Sequence, residues 1–216
     1  MALRRIALGA IALSVARIFQ LASSFVAVPF LARVLTPADF GIAALALSMV
    51  TFFTLIGDAG LGRSLVRVDA SDTEAWSSAF WASILISIAF ALLFFLMAWP
   101  AASFFDNPDL TPIMMVLALA PLLMGLVEIP AASLLQKEKF QWLPAAEFVA
   151  ALGGIVVALV IAFQGGGAWA LVWQHLTQRL IRGAIVFATS GLRPRLVFNP
   201  ARVGEHIRFM LDTAAW

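Results

Sequence analysis

Residues 75–105 read AWSSAFWASILISIAFALLFFLMAWPAASFF, without a single Asp, Glu, Lys, Arg or His. A helix needs about 20 mostly apolar residues to cross a bilayer, and this run exceeds that. Similar uncharged runs extend over 110–127, 40–57 and 148–178, taking His175 as neutral. The last is split by Gly165-Gly166-Gly167, a poor helix former that permits positive φ and so reads as a turn between two helices. A first apolar stretch, 6–35, is interrupted by Arg17 and Arg33. The runs predict membrane helices over 6–34, 39–62, 76–99, 109–135, 144–164 and 168–190, with a seventh beginning near His206.

Composition agrees. Of 216 residues, 62% are hydrophobic and 12% charged, against about half and about a quarter in an ordinary soluble domain. That excludes a water-facing surface, and it is the reverse of a disordered composition. The chain has no cysteine, hence no disulfide framework and no thiolate chemistry. A net charge of +2 is too small to signal a nucleic-acid partner. The expected fold is an all-α integral membrane protein: an antiparallel bundle of six transmembrane helices over 1–192, a connection over 193–203, and the start of a seventh helix over 204–216.

Local signals support these limits. Thr36-Pro37-Ala38-Asp39 has the form of a capping box with proline at the first helical position. Asn107-Pro108 and Asn199-Pro200 repeat the cap-then-proline device, and Trp76, Trp99, Trp142 and Trp169 fall at span ends, where amphipathic rings favour the interface. Pro121 and Pro130 are expected to bend the fourth span. Ala146, Ala150, Gly154 and Ala158 form a small-residue ridge suited to close helix packing. Arg4-Arg5 followed by an apolar stretch has the start of a signal peptide, but Arg17 and Gln20 stand where a small-residue cleavage site belongs. Lys and Arg concentrate in alternate connections: Arg4 and Arg5, Arg63 and Arg67, Lys137 and Lys139, then Arg193, Arg195 and Arg202. This bias places the N-terminus and those connections in the cytoplasm.

The chemistry lies in polar residues inside the spans. An ionisable group at mid-membrane costs at least about 2.5–3.5 kcal/mol on insertion scales, so it faces a bundle interior or a wet cavity. Arg17 and Gln20 share one face of the first span. Gln174, His175, Gln178, Arg179 and Arg182 occupy one arc of about 140° on the sixth. Arg17 and Arg179 each lie about 16 Å along their helices, near the midplane. Asp58, Glu128 and Glu147 fall towards the cytoplasmic ends and are candidates for ion coupling or for pairing with the arginines. The bland reading is that such pairs only hold helices together. Arg182 is the arginine best placed for that. Arg17 and Arg179 are harder to neutralise from within the chain, and a phosphate-bearing lipid suits their forked, permanently charged donors. His175 reads as a hydrogen-bonded interior residue before a proton carrier. Gly57-Asp58-Ala59-Gly60 follows a helix, not a strand, and reads as a helix stop rather than a phosphate loop. No catalytic motif or metal-ligand spacing is present, so neither enzyme activity nor a cofactor is expected.

The stretch Pro29-Phe30-Leu31-Ala32-Arg33-Val34-Leu35-Thr36-Pro37-Ala38-Asp39-Phe40-Gly41 resembles the first-loop signature of polysaccharide flippases of the multidrug/oligosaccharidyl-lipid/polysaccharide exporter superfamily. Gly60-Leu61-Gly62-Arg63-Ser64-Leu65-Val66-Arg67 is similar to their second-loop segment, and Phe80-Trp81 lies early in the third helix as it does there. The resemblance implies a bacterial inner-membrane protein that moves undecaprenyl-pyrophosphate-linked oligosaccharide outward by alternating access. It also implies as partners membrane lipids and the polysaccharide polymerase and export machinery. Because members of that family usually have 12 to 14 helices in two pseudo-symmetric lobes, the resemblance implies that the chain looks like an N-terminal lobe, with a C-terminal lobe expected beyond it. Competing readings are a drug or cation exporter, which would carry mid-membrane acids, and a non-transporting scaffold of a saccharide-assembly complex. A membrane glycosyltransferase would need larger polar loops than these.

Overall fold

The computed structural model describes residues 29–57, 72–139, 141–195 and 197. Among the described residues a helical end at 29–31 is followed by seven bounded helices: α1 (Pro37–Gly57), α2 (Thr73–Leu96), α3 (Ala98–Phe104), α4 (Leu110–Leu117), α5 (Leu119–Gln136), α6 (Trp142–Phe163) and α7 (Trp169–Ser190). No strand occurs among the described residues. The rods α2–α3, α4–α5 and α6 are each long and apolar enough to cross a membrane. α1 is 21 residues long and apolar over at least Pro37–Phe53, and α7 equals α6 in length but carries the polar arc. The first span expected over 6–34 lies outside the described residues except for its end, as does the start of the seventh; the count of six therefore stays an expectation.

The rods break where proline dictates. A proline at position i cannot donate to the carbonyl at i−4, and its ring pushes that carbonyl away. Met97 and Ala118 interrupt helical runs three residues before Pro100 and Pro121 respectively. Pro130 is accommodated inside α5 with its side chain fully buried. The third span thus continues past the expected limit at 99, because Pro100 occupies the tolerated first turn of α3.

Helix ends are set by short-range hydrogen bonds. The Thr36 amide and hydroxyl donate to Asp39 Oδ2 at 2.8 and 2.7 Å, and the Asp39 amide donates back to Thr36 Oγ1 at 3.2 Å. At the end of α6, Gly166 N donates to Ile161 O and Gly165 N to Ala162 O, both at 2.9 Å, with Gly165 at φ +79°. This is the paired closure of a Schellman turn. Asp106 (φ 49°) and Glu138 (φ 55°) close α3 and α5 in the same way without glycine. Asn107 accepts the Asp109 amide at 3.1 Å in the turn that leads into α4.

Packing is carried by small residues. On α6, Ala146, Ala150, Ala158 and Ala162 are all but inaccessible, while Val149, Leu152, Val156, Val160 and Phe163 are exposed on its other side. This inversion, small inside and large outside, suits a helix whose outer solvent is lipid. Pro37, the α3–α4 turn and the α6–α7 turn share one end of the bundle. There the Ala168 amide donates to Asp39 Oδ1 at 3.1 Å, joining the starts of α1 and α7. At the opposite end Lys137 Nζ donates to Ser190 O at 2.9 Å, joining α5 and α7. The main core lies between α1, α2–α3, α4 and α7, where Val50, Phe94, Met114, Leu117 and Val172 are buried and Phe53 meets Phe94 edge to face at 5.4 Å.

Candidate functional site in the α6–α7 seam

The polar arc of α7 runs along its seam with α6, the most extensive helix pair among the described residues. Close approach is possible because Gly154 offers no side chain: the Gln178 side chain and the Gln174 carbonyl cover the space a Cβ would take. One position earlier, Ile181 lies over Gly153, and one turn nearer the basic end Arg182 Nε meets Glu147 Oε1 at 2.6 Å. Both partners of this pair are about one-third exposed, so it is neither a core pair nor a free surface one.

His175 and Arg179 are half-buried and stand one turn apart. Arg179 Nε donates to His175 Nε2 at 2.7 Å. A ring nitrogen accepts only in neutral imidazole, so this contact holds the proton on Nδ1. Arg179 forms no ion pair among the described residues. Two guanidiniums, Arg179 and Arg182, therefore stand against one carboxylate, Glu147, and leave one net positive charge in the seam. With Nε engaged by His175, the two terminal nitrogens of Arg179 remain a fork suited to a two-oxygen anion.

The structure thus brings together Gln174, His175, Gln178, Arg179, Arg182 and Glu147. It does not bring Glu128 to them. Glu128 sits on α5 beside Ser87, Phe53, Phe90 and Pro121, around a separate cavity of about 20 Å³, room for roughly one water. Arg17, Gln20 and Asp58 lie outside the described residues. No cluster of three or more potential metal ligands occurs among those described.

Several contacts were not anticipated from the sequence. Asp39, read as a cap for its own helix, also holds the Ala168 amide, and Gly167 (φ +51°) leaves room for that carboxylate. The α2–α5 seam closes on Gly125, with Ser87 against it and Ser83 Oγ donating to the Gly125 carbonyl at 3.0 Å. The i, i+4 spacing of Ser83 and Ser87 was the available signal for that seam.

Comparison with known proteins supplies the context for this geometry. The chain is 34% identical over 186 residues to the succinoglycan biosynthesis transport protein ExoT of Rhizobium meliloti (strain 1021), covering 86% of this chain and 37% of that protein. It is 26% identical over 204 residues to the lipopolysaccharide biosynthesis protein WzxC of Escherichia coli (strain K12), covering 91% of this chain and 40% of that protein. The chain therefore spans about two fifths of the length of the curated relatives it matches. No solved structure matches it. Residues 30–215 match the family model described as polysaccharide biosynthesis protein, and with that match covering most of its length, this helical membrane chain belongs to the polysaccharide biosynthesis protein family.

Proposed function

We infer that this chain forms part of a transporter that moves undecaprenyl-pyrophosphate-linked oligosaccharide across the bacterial inner membrane. The observation that carries the reading is that, among the described residues, Arg179 has no ion-pair partner in a seam whose one carboxylate, Glu147, is taken by Arg182. A permanent cation held there without a carboxylate of its own is suited to an anion that enters and leaves. A pyrophosphate offers paired oxygens to a planar fork. Transport accords with the succinoglycan transport relative. In this reading Arg17 and Gln20 add a second wall, the relatives' greater length leaves room for an opposing lobe, and the basic end of the bundle faces the cytoplasm.

One observation favours a scaffolding role for part of the arc: Arg182 is matched by Glu147 and needs no ligand. The two roles separate by substitution in the native gene. Arg179→Gln should lower surface polysaccharide at least tenfold at normal membrane abundance, whereas Arg182→Gln/Glu147→Gln should retain most export. Normal export by a well-expressed Arg17→Gln/Arg179→Gln variant would refute the anion-cavity reading.

A further inference from the structure

A second polar cavity lies away from the α6–α7 seam, at the basic end of the bundle. Residues 191–195 leave α7 at Gly191 (φ +64°) and cross back over the start of α2. Backbone bonds fasten them there: the Arg195 amide donates to Ser77 Oγ at 3.0 Å, and Trp81 Nε1 donates to the Arg195 carbonyl at 2.8 Å. Lys137 Nζ ties the end of α7 to α5 through Ser190 O. The strap borders an open cavity of about 420 Å³ whose walls include the buried Trp76, Ser77 and Ser133 together with Lys137 and the exposed Arg193 and Arg195.

The wall is chemically one-sided. Three of those residues are cations, and none of the described residues lining the cavity is acidic. Trp76 and the hydroxyl-bearing Ser77 and Ser133 are buried, which makes a rigid floor. The strap is held by its main chain at residue 195, so the guanidiniums of Arg193 and Arg195 are not spent on fastening it, and neither forms an ion pair among the described residues. The cavity is of ligand size. It also sits at helix ends beside tryptophans, the depth of lipid headgroups.

We propose that this cavity is a binding site for the phosphate headgroup of an anionic lipid, gripped by Arg193 and Arg195 under the strap. It is distinct from the Arg179 seam; its polyprenyl form rests on the transport reading, and its glycerophospholipid form stands without it. Two lipids carry the required chemistry: an anionic glycerophospholipid, and a polyprenyl pyrophosphate before it enters the seam.

The test is native mass spectrometry of the detergent-purified chain titrated in parallel with phosphatidylglycerol, phosphatidylcholine, undecaprenyl pyrophosphate and inorganic pyrophosphate. Phosphatidylglycerol or undecaprenyl pyrophosphate should bind at least tenfold more tightly than phosphatidylcholine, and the tighter of the two identifies the source. Arg193→Gln/Arg195→Gln should weaken that binding at least tenfold. Arg193→Lys/Arg195→Lys should lose less than about fivefold, since charge stays while the fork is lost. Arg33→Gln, at the far end of the bundle, should change nothing, and helical circular dichroism of all variants should match the parent. Inorganic pyrophosphate competing for the site would support recognition of the phosphate itself. Equal binding of phosphatidylcholine, or full binding by a folded Arg193→Gln/Arg195→Gln variant, would overturn the proposal.

Discussion

The α2–α5 and α6–α7 seams use the same device for different ends. Each closes on a glycine, Gly125 or Gly154, whose missing Cβ admits a neighbour's side chain. In the α2–α5 seam the visitors are neutral hydroxyls. Ser83, only 2% exposed, bonds to Phe80 O and Gly125 O at 2.9 and 3.0 Å, so its polarity is satisfied within the seam. In the α6–α7 seam the same closeness carries amides, an ion pair and an extra guanidinium. Close packing is therefore common to both and marks no function. The polar load around the two glycines distinguishes them: Ser83 at Gly125 is self-sufficient, with Glu128 of α5 lining the cavity beside Ser87, while at Gly154 the neighbouring Arg179 has no carboxylate of its own among the described residues.

The largest effect should come from overfilling the α2–α5 seam. Gly125→Val would place a Cβ 2.9 Å from the Ser83 carbonyl, a backbone atom that cannot swing aside. A cost of about 3 kcal/mol is expected, at the upper end for overpacking. Gly154→Val should cost about 1–2 kcal/mol, because Gln178 can move even though the Gln174 carbonyl cannot. Unfolding of both variants by SDS titration in dodecylmaltoside micelles reads the difference. Equal losses would mean that the seams are alike in rigidity.

A smaller effect tests the charged seam. Glu147→Gln strands Arg182, and the pair's partial exposure places the cost at about 1–2 kcal/mol, between exposed and buried ion pairs. Adding Arg182→Gln should recover most of it in the same titration. No recovery would mean that Arg182 has a further task. Ser83→Ala is the smallest change, about 0.5–1 kcal/mol, since one neutral interhelical hydrogen bond is lost in a membrane setting. A larger loss there would show that the α2–α5 seam also depends on its polar groups.

Much of the architecture was legible because it is local. Span limits expected at 109–135, 144–164 and 168–190 fall within two residues of the rods over 110–136, 142–163 and 169–190. Uncharged length sets where a helix can cross, and Thr36-Pro37-Ala38-Asp39 and Gly165-Gly166-Gly167 end helices through bonds spanning five residues or fewer. The ridge of Ala146, Ala150, Gly154 and Ala158 was readable for the same reason, being one face of one helix. The polar arc of α7 was readable too, but its partners were not. Three acids were candidates for the arginines, and nothing in their spacing distinguished Glu147 from Glu128.

The sequence alone determined that this is a helical membrane chain, where its described rods lie, and that α7 bears a row of amides, a histidine and two arginines. Each follows from composition and from the 3.6-residue period, which act within one segment. Only the tertiary structure decided that Arg182 meets Glu147, that Glu128 faces a different cavity, that Asp39 reaches Ala168, and that residues 191–195 strap back over α2. Those choices depend on how far one helix slides and turns against another. That register is set by which small residues let the helices approach, a property of two surfaces together.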